Sequence, residues 1–150
     1  MNLERLYDKI TKHEGVRRRL YDDATSRDLG QGDTIQGHPT IGIGFALDVI
    51  DFPADIARLW LTRIVAQRVS ALRSSFDWFD HLDGVRQEVI VDMSYQLGIA
   101  GFGKFHKMIA AIEERNWQEA KAQMLDSDVA RQCPNRYREL ADTIETGVWA

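Results

Sequence analysis

Cysteine is all but absent. Cys133 stands alone among 150 residues, so no internal disulfide can form, which fits a reducing compartment. No apolar run approaches the roughly 20 residues that span a bilayer. The opening Met1-Asn2-Leu3-Glu4-Arg5 lacks the basic-then-apolar layout of a secretory leader, so a cytoplasmic location at synthesis is expected. There is no excess of positive charge either: 19 Lys and Arg face 23 Asp and Glu, for a net charge of −4. That balance gives no reason to expect a nucleic-acid partner, which favours clustered positive charge. His13, His38, His81 and His106 show no ligand spacing and read as structural or surface groups. No repeat, low-complexity stretch or flexible linker breaks the chain.

What remains is ordinary for a globular protein, with 44% hydrophobic and 28% charged residues. A chain of this length buries roughly two-thirds of its unfolded surface. Leu3, Leu6, Tyr7 and Ile10 recur at i, i+3, i+4 and i+7, predicting an amphipathic helix over 3–13, stopped by Gly15. Arg17-Arg18-Arg19 reads first as a solvated turn and, in a sharper reading, as a contact to an acidic wall polymer. From Leu20 to Phe45 helical periodicity gives way to Gly, Asp, Ser and Thr, predicting a small sheet with a long loop. Pro53 opens a long helix over 53–72 with a stripe of Leu61, Val65, Val69 and Leu72. Phe76, Trp78 and Phe79 read as core. Asp83 caps a helix carrying Val85, Val89, Ile90, Met93 and Leu97 and ended by Gly98. Phe105, Met108, Ile109 and Ile112 mark the next helix, Asn116 with Glu119 a capping box, and Pro134 to Gly147 the last. The expected fold is α+β in a single domain. A small N-terminal β-containing lobe (14–52) is joined by the long helix to a C-terminal helical lobe (73–150), with the cleft between them as the default site.

Glu14 and Asp23 give this frame its chemistry. The acid at a helix end is followed, after eight intervening residues, by a second acid. Hydrolysis of a glycosidic bond needs two carboxylates: one holds a proton for the leaving oxygen, and the other stays charged. The negative end of the helix dipole disfavours a further negative charge at Glu14, which suits the proton-holding partner. Taken singly, each has a bland explanation. Glu before Gly is a common helix end, Asp22-Asp23 suits a turn, and Thr40 fits any strand. In Thr40-Ile41-Gly42-Ile43-Gly44 the glycines fall on one face, where another chain or a ligand can approach the backbone.

With these residues in hand, the sequence resembles the phage-type lysozymes, endolysins of the T-even kind. His13-Glu14-Gly15, Tyr21, Asp23 and Thr40-Ile41-Gly42-Ile43-Gly44 carry the resemblance at the front. Leu82-Asp83-Gly84-Val85-Arg86, Met93, Gln96, Gly98, Gly101-Phe102, Trp117, Pro134-Asn135-Arg136 and Thr146-Gly147-Val148-Trp149 continue it in the same order. The resemblance implies a lysozyme-like fold and a muramidase. Its substrate would be the β-1,4 bond between N-acetylmuramic acid and N-acetylglucosamine in bacterial peptidoglycan. It further implies Glu14 as general acid, Asp23 as second carboxylate, Thr40 as a residue placing the attacking water, and inversion at the anomeric carbon. Tyr95, Gln96 and Gln123 would meet the sugar and peptide parts of the substrate, and Arg136 would pair with Glu14. No metal or organic cofactor and no membrane insertion are implied. The protein would act as a monomer, held in the host cytoplasm until a separate, holin-type membrane-permeabilising protein releases it to the wall.

Three departures stand out. Sixteen residues separate Asp23 from Thr40, where the family's connection is much shorter, and the insertion within 24–39 adds Asp28 and Asp33 as alternative second carboxylates. Phe45 stands where the family often has histidine. The stretch from Leu47 to Pro53 is shorter than its counterpart. Two other classes stay open: a non-catalytic wall-binding or virion structural protein, and a lytic transglycosylase that uses one acid and no water.

Overall fold

A computed structural model describes residues 2–149. The chain divides into two compact units, Met1–Ala57 and Arg58–Ala150. In the first, α1 (Leu3–Glu14) begins where the Asn2 side chain accepts the Arg5 N–H and ends at Gly15, whose N–H closes on the Thr11 carbonyl. Its apolar stripe, Leu3, Leu6, Tyr7 and Ile10, is exposed. Strands β1 (Arg17–Asp22), β2 (Pro39–Gly42) and β3 (Phe45–Ala46) form an antiparallel sheet in the order β1-β2-β3. The arginine run is therefore strand and not turn. Arg17 pairs with Gly42 and Tyr21 with Thr40, and a register shift lies between them. An irregularity of this kind lets a strand keep pairing while bending to re-aim its side chains.

Helix α2 (Ala54–Ser75) carries the chain into the second unit. Of its predicted stripe only Leu72 is fully buried, and Leu61 is exposed. A single turn of 3-10 helix (Phe79–His81) leads to α3 (Gly84–Phe102), α4 (His106–Glu113), α5 (Trp117–Leu125), α6 (Asp128–Gln132) and α7 (Pro134–Thr146). Asp83 caps α3 by accepting the Arg86 N–H. Gly98 does interrupt α3, with φ of 71°, but the helix resumes and runs to Phe102. Only half of the capping box forms: the Asn116 side chain accepts the Glu119 N–H, while the Glu119 carboxylate takes the Gln123 amide. The short α6, capped by Ser127, has no counterpart in the sequence-based expectation.

Among the described residues, the fully buried hydrophobic side chains all lie in this second unit, Leu72, Phe79, Ile90, Met93, Phe102, Tyr137 and Ile144 with them. Helix α7 packs on α3, α5 and α6, and α4 packs on α5. Arg86 fastens the end of α7: Nε donates to the Ile144 carbonyl and Nη2 to that of Glu145. Its guanidinium lies 4.1 Å from the Trp117 ring centroid. A cation at a helix C-terminus meets the free carbonyls and the negative dipole end together. No helix among the described residues is long and apolar enough to cross a membrane.

Candidate active site

In the first unit, α1 delivers Glu14 to the turn between β2 and β3. The Glu14 carboxylate lies so close to Gly44 that a Cβ there would sit 2.8 Å from Glu14 Oε2. Gly44 also has φ of +68°, a conformation other residues adopt only at a cost. Of the two glycines expected to share a face, Gly44 thus meets the acid, while a Cβ on Gly42 would meet the Phe45 ring instead. No hydrogen-bond or ion-pair partner for the Glu14 side chain occurs among the described residues.

The insertion is built around a residue to which the sequence assigns no more than a turn. Asp22, 1% exposed, accepts three backbone N–H groups: Ala24 at 3.0 Å and Gly37 at 3.0 Å on Oδ1, and Gln36 at 2.7 Å on Oδ2. Its pKa is lowered, chiefly by the Gln36 N–H, with burial opposing and the Gly37 and Ala24 N–H groups adding. The outgoing half of the insertion folds back along the free edge of β1. Leu29 N–H bonds Leu20 O, Asp22 N–H bonds Arg27 O, and Asp28 bridges Tyr21. Arg17 locks this edge with Nη1 on the Ser26 carbonyl, Nη2 on Asp28, and its guanidinium 4.1 Å from the Tyr21 ring centroid.

Asp28 and Asp33 are each paired with an arginine, Asp28 with Arg17 of β1 and Asp33 with Arg27. Asp28 Oδ1 holds Arg17 Nη2 at 2.8 Å. Asp33 accepts the Gly30 N–H at 2.8 Å and lies 3.5 Å from Arg27 Nη2. Asp23 differs. Its Oδ1 accepts the His38 N–H at 2.6 Å, and its own N–H donates to the His38 carbonyl at 3.1 Å, while Oδ2 has no protein partner among the described residues. The Thr40 hydroxyl, 3% exposed, donates to that same carbonyl at 3.1 Å. His38 therefore joins Asp23 to Thr40 across the sheet.

The His38 imidazole is held by Asp48 at 2.9 Å. Its pKa is raised first by that hydrogen bond and by the Asp48 charge, with a smaller contribution from Asp23. Because the folded value lies above the ordinary 6.5, the stabilisation is complete below 6.5 while Asp48 stays ionised. It is lost as pH rises through the raised value. Imidazole resonances followed by NMR should titrate above 6.5 in the parent and fall back toward it in Asp48→Asn; an unchanged midpoint excludes the clamp.

The remaining predicted residues lie in the second unit and do not share one pocket. Tyr95 and Arg136 line a 630 Å³ cavity with Asp92, and Arg136 Nη2 is 2.7 Å from Asp92 Oδ1. Gln96 is engaged on both ends of its amide, by the Tyr137 hydroxyl and by Cys133 Sγ. Gln123 lines a separate 430 Å³ cavity beside His106 and Ser127. Among the described residues, no group of three or more His, Cys, Asp or Glu is placed to hold a metal ion.

No family model matches the chain. Comparison with curated proteins finds "Probable T4-type lysozyme 1" of Dictyostelium discoideum, 35% identical over 69 residues. "Probable T4-type lysozyme 2" of the same organism is 32% identical over 69 residues. Over that stretch the chain is similar to these two T4-type lysozymes. Among the described residues, seven helices and a small three-stranded sheet form an α+β, lysozyme-like fold. The matched stretch is 46% of this chain and 41% of each relative, so less than half the length of these lysozymes is spanned.

Proposed function

We propose that the protein is a peptidoglycan hydrolase, an N-acetylmuramidase that cleaves the β-1,4 bond following N-acetylmuramic acid. One observation carries the reading. Of the acids in and around the insertion, Asp22, Asp28 and Asp33 are tied up by backbone groups or arginines. Among the described residues, by contrast, Glu14 has no partner and Asp23 keeps one free oxygen. The lysozyme names of the relatives support it.

In this mechanism Glu14, protonated, gives its proton to the glycosidic oxygen as the C–O bond breaks and the electron pair passes to the leaving sugar. Asp23 takes a proton from a water that attacks the cationic anomeric carbon from the other face. The Thr40 hydroxyl, its proton on the His38 carbonyl, accepts a hydrogen bond from that water through a lone pair. The cycle leaves Glu14 ionised and Asp23 protonated, and solvent resets both. Tyr95, Gln96 and Gln123 as substrate contacts and a monomer released from a host cytoplasm by a holin-type protein belong to the same proposal, whereas Arg136 is paired with Asp92 and not with Glu14.

Digestion of purified peptidoglycan followed by mass spectrometry tests it. A hydrolase releases reducing ends, each one water heavier than the 1,6-anhydro ends of a lytic transglycosylase. Release of neither leaves a wall-binding protein. For the second carboxylate, Asp23→Asn should lower the rate roughly a hundredfold, while Asp28→Asn and Asp33→Asn stay near the parent. The reverse pattern would place the second carboxylate in the insertion.

A further inference from the structure

The geometry points to Asp22 as a positioning residue, which sets the catalytic carboxylate of Asp23 by closing the insertion onto its own base. This rests on the reading of Asp23 as the group that activates water, and adds how this chain keeps such a group in place despite sixteen residues between Asp23 and Thr40.

Left to itself, a loop of this length does not choose one path. Fourteen residues from Ala24 to Gly37 have many closed conformations, and nothing in their composition favours one that returns to Asp23. Asp22 supplies the bias. Its buried carboxylate draws the N–H of Ala24, where the loop leaves, and those of Gln36 and Gly37, where it returns, onto two oxygens. A buried carboxylate with no cation beside it must be satisfied by such donors, so the closure is strongly specified. No ion pair to Asp22 occurs among the described residues. The next N–H after Gly37 is that of His38, and it is the one that grips Asp23 Oδ1 at 2.6 Å. One carboxylate thus gathers two consecutive donors and presents the third to its neighbour.

The fit leaves no slack. A Cβ on Gly37 would stand 2.1 Å from Asp23 Oδ1 and 2.7 Å from Ala24 Cβ, so the returning backbone lies directly on the Asp23 side chain. The other face of His38 is fixed by Asp48 at 2.9 Å, and its carbonyl by Thr40 and by Asp23 N–H. Asp23 Oδ1 is held by the insertion while Oδ2 is left for water. The insertion holds the carboxylate through its Oδ1.

Asp22→Asn tests this, because an amide must place an N–H where the carboxylate presented an acceptor, against the Ala24 and Gly37 donors or against that of Gln36. We expect kcat on soluble peptidoglycan fragments to fall about 10–100-fold, the scale of a small misplacement of a reacting group, with KM within about twofold. The His38 amide proton should lose its low-field shift and its protection from exchange. Parent-level kcat overturns the proposal, and so does a lowered kcat with the His38 amide unchanged. Asp23→Asn is assayed beside it: full activity there defeats the catalytic reading of Asp23, whereas the His38 amide still reports the Asp22 effect. Should Asp22→Asn not fold, Gly37→Ala presses on the same carboxylate from the loop side and must show the same kcat loss.

Discussion

Glu14→Gln should lose about a thousandfold or more in kcat on peptidoglycan while melting within about 2 °C of the parent. The change replaces one oxygen by an amide nitrogen of nearly the same size, and so removes the transferable proton and little else. General acid catalysis by a positioned side chain contributes about 10²–10⁴-fold. The fold should not notice. Glu14 is the exposed last residue of α1, it has no partner among the described residues to leave unsatisfied, and surface changes of this kind stay within roughly 0.5 kcal/mol. Substrates separate a general acid from a merely structural residue. An aryl glycoside with a stable phenolate leaving group needs no proton, so on it Glu14→Gln should recover most of the lost rate. Equal losses on both substrates, or lysis of a wall suspension at the parent rate, would remove Glu14 from its assigned role.

How much of this is legible in the sequence depends on how local the deciding interactions are. Helix α1, the Asp83 cap of α3 and the Pro134 to Gly147 span of α7 are readable because each rests on a residue and its neighbours within four positions. Gly98 reads as a stop, yet the helix restarts behind it and runs to Phe102, which is buried against Phe76. Arg17-Arg18-Arg19 reads as a turn since the pattern of charge says nothing about pairing. Their strand exists because Gly42 and Thr40 lie opposite on one edge and Arg27 to Leu29 bond the other. The insertion is the least legible part. The return of its far end is set by backbone N–H groups converging on Asp22, two of them from residues at least fourteen positions away, and backbone donors leave no mark in a sequence. The doublet Asp22-Asp23 is visible. That one carboxylate is buried and spent on architecture while its neighbour stays exposed follows only from the folded chain.

Phe102→Ala should destabilise the chain severely, and the reason is where the chain keeps its core. The ring is 0% exposed, meets Phe76 edge-on at 5.4 Å and 88°, and lies 6.4 Å from the Trp78 ring. Removing it takes apolar surface out of burial and leaves a void whose walls, two aromatic rings and helix backbone, cannot close without moving α3 or the segment after α2. Such losses run about 3–5 kcal/mol, to be set against a total stability of about 5–15 kcal/mol for a typical domain. At about 2–4 °C per kcal/mol for a chain of this size, melting should fall by roughly 6–20 °C. Val148→Ala, at a residue 66% exposed, is the control and should shift melting by no more than about 2 °C. The loss should be confined to the second unit: amides of Asp22, Gln36 and His38, whose bonds all lie in the first, should keep their exchange rates until that unit opens on its own. Calorimetry with residue-resolved hydrogen exchange decides between this and a single cooperative transition. In the latter case the insertion amides would lose protection in step with the helices, and the stability of the segment carrying Asp22 and Asp23 would have to be sought in the Phe102 core after all.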